Sequence, residues 1–191
     1  MPEGRRRIAP FIALAVALAV GALLIVLAGS SSARDESADT FLLDKPAPPV
    51  VSTLLSAEAG AADLAFDLSR RKGSWVVLNF FDPDCVPCIA EHDELVALDR
   101  QQRQLGDAGA ELYTIINKGS DAEVRQWFAE KGGDWPKVRD PGGSISVAFG
   151  VAQVPETWVI DPNGIVRARL IGEVTAEGMG GLLQQLRETM S

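Results

Sequence analysis

Cysteine and histidine are scarce in this chain: 191 residues hold two Cys and one His. That excludes a closed four-ligand Cys/His zinc site. Basic residues are short as well. Arg5, Arg6 and Arg7 stand at the N-terminus, so the chain beyond residue 28 keeps only 15 of its 18 Lys and Arg against 25 of its 26 Asp and Glu. A nucleic-acid partner is therefore not expected, since phosphate contacts need clustered cations. There is no internal repeat, and no nicotinamide or flavin fingerprint. Long apolar runs are missing too, with one exception. Ile8 to Ala28 carries no charge, and only Pro10 and Gly21 of it fall outside the hydrophobic set. Without that block the hydrophobic share is roughly 42%, ordinary for a soluble domain.

The exception sets the expected compartment. Residues 8–28, if helical, are about 31 Å long at ~1.5 Å per residue, enough to cross the hydrocarbon of a bilayer. Arg5-Arg6-Arg7 directly precedes the run, and positive flanks stay cytoplasmic. The expected topology is a cytoplasmic basic segment (1–7), a single-pass anchor in the cell membrane (8–28), a linker (29–44) and an extracytoplasmic domain (45–191). A cleaved signal peptide is the alternative, with Ser31-Ser32-Ala33 as its small-residue site. Either route delivers the domain to an oxidising compartment. The linker is rich in Ser, Ala and Asp, and Pro46, Pro48 and Pro49 follow it.

In the domain, Trp75 to Phe81 is a short apolar run ended by Asp82-Pro83-Asp84, the pattern of a buried strand. A helix is predicted from Cys85 to Leu105, with Gly106 ending it. Glu111 to Asn117 reads as the next strand. Ser120 and Glu123 fit a capping box, followed by Val124, Trp127 and Phe128 on one helical stripe. Strand, helix, strand, helix in that order predicts a parallel crossover and an α/β fold. A short helix from Ser144 to Phe149 follows the Asp140-to-Gly143 turn. Strands over 157–161 and 165–171 flank Asp161-Pro-Asn-Gly164, a hairpin signal. Met179, Leu182, Leu183, Leu186 and Met190 share a face of a last helix. Residues 50–68 read as a small hairpin or edge strands, and the four Trp as core.

Cys85-Val-Pro-Cys88 stands where the buried strand hands over to the helix. Unpaired backbone N–H groups and the positive end of the helix dipole favour a thiolate there, and the thiolate is the nucleophile of disulfide exchange. Cys85 is expected to be the exposed attacking sulfur and Cys88 the shielded resolving one. Two other readings stand beside this. A structural disulfide closing so short a loop would contribute only about 2 kcal/mol. Cys85, Cys88 and His92, at helical spacing, could instead hold zinc or copper with Asp82, Asp84 or solvent completing the set.

The segments LNFFDPDCVPCIAEH (78–92) and GVAQVPETWVIDPNGIV (150–166) resemble the two signature segments of the thioredoxin superfamily. They are most similar to its membrane-anchored TlpA/ResA/DsbE-like branch, the thiol:disulfide interchange proteins of cytochrome c biogenesis. The resemblance covers Lys45 to Ser191. It implies a thioredoxin-like fold with a central mixed sheet flanked by helices. It also implies a redox-active Cys85–Cys88 disulfide with no other cofactor and no metal. By the same resemblance Pro155 is cis beside the Cys pair, and the Val154 backbone pairs with a substrate chain. Glu156 is typical of the cytochrome-maturation members, or else only an exposed residue at a strand start.

The implied activity is extracytoplasmic thiol–disulfide exchange. The chain would reduce Cys pairs in exported proteins such as apocytochrome c, with electrons from a membrane thiol donor. The same residues at a higher potential would make an oxidant that installs disulfides, and a copper-carrying role for Cys85, Cys88 and His92 is the non-catalytic alternative. Two departures bear on mechanism. Asp84 replaces the Trp usual before the first Cys, and with Asp82 it is expected to disfavour the Cys85 thiolate and make the pair more reducing. Asn79 replaces the buried Asp of many thioredoxins, so a base for Cys88 has to be Glu91, Glu156 or a loop Asp.

Overall fold

A computed structural model describes residues 13–16, 20–21, 40–56 and 64–190. Residues 1–36 and 37–191 are separate compact units. Of the predicted anchor only 13–16 and 20–21 are described, and they are helical. Among the described residues no helix is long and apolar enough to cross a membrane. Residues 22–39, with most of the predicted linker, lie outside the described residues.

Among the described residues seven strands form one mixed sheet: β1 (Val51–Leu54), β2 (Leu64–Asp67), β3 (Trp75–Phe81), β4 (Ala110–Ile116), β5 (Lys137–Arg139), β6 (Glu156–Ile160) and β7 (Val166–Ile171). Their spatial order is β2-β1-β5-β4-β3-β6-β7. β3, β4 and β5 run parallel, while β6 and β7 continue antiparallel on one side and β1 and β2 on the other. The α-helices among residues 40–190 are α1 (Val86–Gln104), α2 (Asp121–Lys131), α3 (Ser144–Phe149) and α4 (Ala176–Met190). This is a thioredoxin-like α/β fold.

β3 is buried along its whole length, as its unbroken apolar run requires of a central strand covered on both faces. Its period of two divides the core. Val76, Leu78 and Phe80 pack with Trp158, Ile160 and Phe149 on one face. Trp75 and Val77 pack with Leu95 and Leu98 of α1 and Met179 and Leu183 of α4 on the other. Trp75, Trp135 and Trp158 are buried, as expected of core residues, and Trp127 is half-buried. The Ser120–Glu123 capping box is formed, each side chain accepting the other residue's N–H.

Two features differ from the sequence reading. β5 was not expected, because three residues flanked by Pro136 and Asp140 carry no periodic signal. The ordered domain also begins before residue 45. Leu42 is buried in the core, and Asp44 donates its N–H to the Val166 carbonyl (2.9 Å). Arg167 bridges Asp44 and Asp161 at 2.7 and 2.8 Å. These partners are long-range in sequence, so composition alone read 41–44 as linker.

Candidate active site

Cys85 is the N-cap of α1 and sits in extended backbone (φ −83°, ψ 113°). Its Sγ accepts the Cys88 N–H at 3.2 Å. Proline within the first helical turn is tolerated because the N–H groups there have no intrahelical acceptor. Cys85 and Cys88 are joined as a disulfide with Cα atoms 5.2 Å apart. The pair is asymmetric: Cys85 is half-buried, whereas Cys88 is 0% exposed and packs among Phe81, Ile116 and Val124. The Val154–Pro155 peptide bond is cis, and the Val154 carbonyl oxygen lies 3.5 Å from Cys85 Sγ. The two signature segments, far apart in sequence, therefore meet at one sulfur.

The acidic residues fall into three distinct environments. In the loop before the pair, buried Asp82 accepts the Asp84 N–H (3.0 Å) and binds Lys118 Nζ (2.7 Å). Lys118 is held above the usual ammonium range, first by that bond to Asp82. The two aspartates thus differ in their surroundings: Asp82 is buried and ion-paired with Lys118. Exposed Asp84 is left as the carboxylate adjoining Cys85.

Glu91 lies three residues beyond Cys88 on α1 and is 1% exposed. Its Oε1 accepts the Asn79 side-chain amide at 2.8 Å, and its Oε2 accepts the Val174 N–H at 3.1 Å. Burial pushes its carboxyl up to about 7, against the opposing pull of those two hydrogen bonds. Glu156 is equally buried but faces the other side of the sheet. It accepts Trp158 Nε1 (2.7 Å) and both Arg169 Nε (3.0 Å) and Arg169 Nη2 (3.1 Å). Of the two glutamates, then, only Glu91 shares the Cys88 side of the sheet, and Glu156 is a buried ion-pair member at the strand start. Its reading as an exposed residue does not hold. Arg169, Lys118 and Thr157 were not singled out from the sequence. Their only sequence signal is the alternation that places Arg169 and Glu156 on one face of the β6–β7 hairpin.

The structure does not assemble the three metal ligands considered from the sequence. His92 is buried among Trp127, Phe128 and Trp135, with ring centroids 4.5, 5.6 and 5.7 Å away. Burial pushes its imidazole below the usual range, and the nearby Lys131 and Gly132 carbonyls that oppose this do not reach hydrogen-bonding geometry. Among the described residues no three His, Cys, Asp or Glu side chains group as a metal site. Helical spacing put His92 near the Cys pair, but the helix turns its ring into the aromatic cluster of α2.

A Cys-x-x-Cys disulfide at a helix start, with the carbonyl of a distant segment at its outer sulfur, defines a thioredoxin-like thiol–disulfide oxidoreductase. Residues 49–169 match the AhpC/TSA family, and the chain belongs to that family. It is 33% identical over 139 residues to the thiol:disulfide interchange protein HelX of Rhodobacter capsulatus, covering 72% of this chain and 73% of that one. It is 32% identical over 152 residues to the thiol:disulfide interchange protein DsbE of Pseudomonas aeruginosa, covering 71% and 81%. The crystal structure of the thioredoxin domain of a Bacteroides vulgatus thiol-disulfide oxidoreductase superposes with a TM-score of 0.63 at 16% identity, over 77% of this chain and 99% of that domain. That last likeness shows the fold.

The buried carboxyl gives stability a defined pH dependence. Glu91 titrates near 4.5 when unfolded and about 7 when folded. Between those values the native state holds a proton that the unfolded chain has released, so stability falls as pH rises through that window, by about 3 kcal/mol in all. Glu91→Gln is expected to remove this fall. In urea unfolding at pH 4.5, 6 and 7.5, the difference between variant and parent should grow steadily in the variant's favour. A constant difference across the three pH values would contradict a buried, proton-binding Glu91.

Proposed function

We propose that this chain is a membrane-tethered, extracytoplasmic reductant of disulfides in exported proteins. Residues 8–28 would be its single-pass anchor, 1–7 its cytoplasmic end and 29–44 its linker. The single observation that carries the catalytic reading is the asymmetry of the pair, with Cys85 at the rim and Cys88 buried on the same helix as the proton-binding Glu91. In this reading the Cys85 thiolate attacks one sulfur of the client disulfide, forming a mixed disulfide and releasing the first client thiolate. Glu91 takes the Cys88 proton, the Cys88 thiolate attacks Cys85 Sγ, and the second client thiolate leaves. The enzyme ends as the Cys85–Cys88 disulfide, and a membrane thiol donor restores the dithiol. Val154 and Pro155 would seat the client backbone beside Cys85. Apocytochrome c, whose Cys pair must be reduced before haem is attached, is the client that the resemblance implies.

Asp84 supports the reducing direction, because an exposed carboxylate adjoining Cys85 destabilises the reduced thiolate. The test is the reduction potential of the full-length protein, equilibrated with glutathione and read by thiol alkylation. A value near about −270 mV, the thioredoxin range, is expected, with Asp84→Asn shifted upward. A value near about −120 mV would make the protein an oxidant of exported thiols instead. A downward or absent shift in Asp84→Asn would remove the electrostatic argument.

A further inference from the structure

The all-buried strand β3 contains a single polar residue, Asn79. An amide in such a place is costly unless its hydrogen bonds are met. In register it lies between Thr114 of β4 and Thr157 of β6, so a polar row crosses the sheet on the α1 side. The Thr114 hydroxyl oxygen accepts Trp135 Nε1 at 2.7 Å. Asn79 Nδ2 donates to Thr157 Oγ1 (3.1 Å) and Glu91 Oε1 (2.8 Å). Its Oδ1 has no hydrogen-bond partner among the described residues.

That imbalance fixes the amide's orientation. Turned over, it would set its oxygen against a Glu91 carboxylate oxygen, acceptor against acceptor. An ionised Glu91 and this orientation therefore select each other, with Thr157 aligning the amide from the neighbouring strand. The Val174 N–H holds the second Glu91 oxygen at 3.1 Å, from the connection into α4. The other titratable groups around Glu91 do not compensate its charge. Glu173 raises it further, Glu94 is tied to the Ala176 N–H at 2.8 Å, and His92 is held in its aromatic cluster. Spacing of i and i+3 on α1 puts Glu91 and Cys88 on adjacent positions of one helix face.

We propose that Asn79 is a positioning residue of the exchange reaction, holding the Glu91 carboxylate beside Cys88 and leaving it the one titrating group of this buried polar row. This rests on the reading of Glu91 as the proton acceptor for Cys88. An aspartate at 79 would bring two carboxyls together that share a proton and titrate in coupled steps. The amide supplies a donor to the ionised form with no charge of its own. No proton passes through Asn79: it leaves Cys88 Sγ and arrives on Glu91.

Two readouts on the full-length protein test this. One is the Glu91 titration by carboxyl ¹³C NMR of the reduced form. The other is the pH profile of Cys88 resolution, followed as release of 2-nitro-5-thiobenzoate from a mixed disulfide preformed at Cys85. Asn79→Ala removes a donor to a charged group, so both inflections are expected to move to higher pH together, slowing resolution about tenfold at pH 7. Thr157→Val should move both the same way by less, and Thr157→Ser should restore them. Asn79→Asp should split the single inflection into two. If Asn79→Ala does not fold, the Thr157 variants and Asn79→Asp carry the same test. An unmoved Glu91 titration overturns the role of Asn79 and leaves the Glu91 reading intact. A Glu91 titration that moves while the rate profile stays in place overturns the proton-acceptor reading itself, and the proposal with it.

Discussion

Cys88→Ser is expected to convert turnover into a trapped covalent adduct, while Cys85→Ser reacts with nothing. The reason lies in how unequally the fold treats the two sulfurs. Cys85 caps α1 at the rim, where its Sγ receives the Cys88 N–H and reduction to the thiolate is favoured by the helix end. Cys88 is fully enclosed by Phe81, Ile116 and Val124, so no folded client reaches it. A serine at 88 leaves the first attack untouched but cannot displace the client, since a hydroxyl is a far poorer nucleophile than a thiolate at neutral pH. Reduction of a disulfide-bonded two-cysteine peptide should fall in both variants, on the order of 10³-fold or more. Intact mass under non-reducing conditions separates them: a one-to-one peptide adduct with Cys88→Ser and none with Cys85→Ser. The opposite pattern would exchange the roles of the two sulfurs.

Arg169→Met should cost roughly 3–5 kcal/mol of stability, the penalty of leaving a buried carboxylate without its cation. Glu156 is 1% exposed and Arg169 meets both of its oxygens. After the substitution the indole N–H of Trp158 is the remaining partner named for Glu156, and one neutral donor does not replace a guanidinium. Arg169 also donates to the Gly150 carbonyl at 3.3 Å, which ties β7 to the start of the loop that carries Val154 and Pro155. Urea unfolding should show the loss in the single variant. In Glu156→Leu with Arg169→Met most of the stability should return, because removing both charges leaves neither one buried alone. A loss below about 1 kcal/mol in the single variant would mean the pair behaves as a surface salt bridge.

These two predictions separate what was legible from what was not. The Cys pair, its place at a strand-to-helix junction and the inequality of its sulfurs follow from local signals: an apolar run, a turn, a proline and helical spacing. Most of the secondary structure was readable for the same reason. β5 was not, because a three-residue strand has no period to detect and exists only by pairing with β4 and β1. The buried Leu42 was also hidden, and so was the Asp44–Arg167 contact, which joins residues more than a hundred positions apart.

The carboxylates show the limit most sharply. As bases for Cys88, Glu91, Glu156 and the loop aspartates were left undivided by the sequence reading. The sheet separates them by face. Thr157 and Asn79 point toward α1, so Glu91 joins the Cys88 side, while the neighbouring Glu156 turns to Arg169. Lys118 singles out Asp82 from Asp84 across the β3 and β4 loops.

By itself the sequence determined the α/β class, the place of the Cys pair and the unequal burial of its sulfurs. Each depends on residues adjacent along the chain or one helical turn apart. Tertiary structure alone decided which glutamate lies on the Cys88 side of the sheet, which aspartate pairs with Lys118, and that His92 packs with aromatic rings instead of the sulfurs. Burial and charge pairing are properties of surroundings, and those surroundings are assembled from strands and helices distant in sequence.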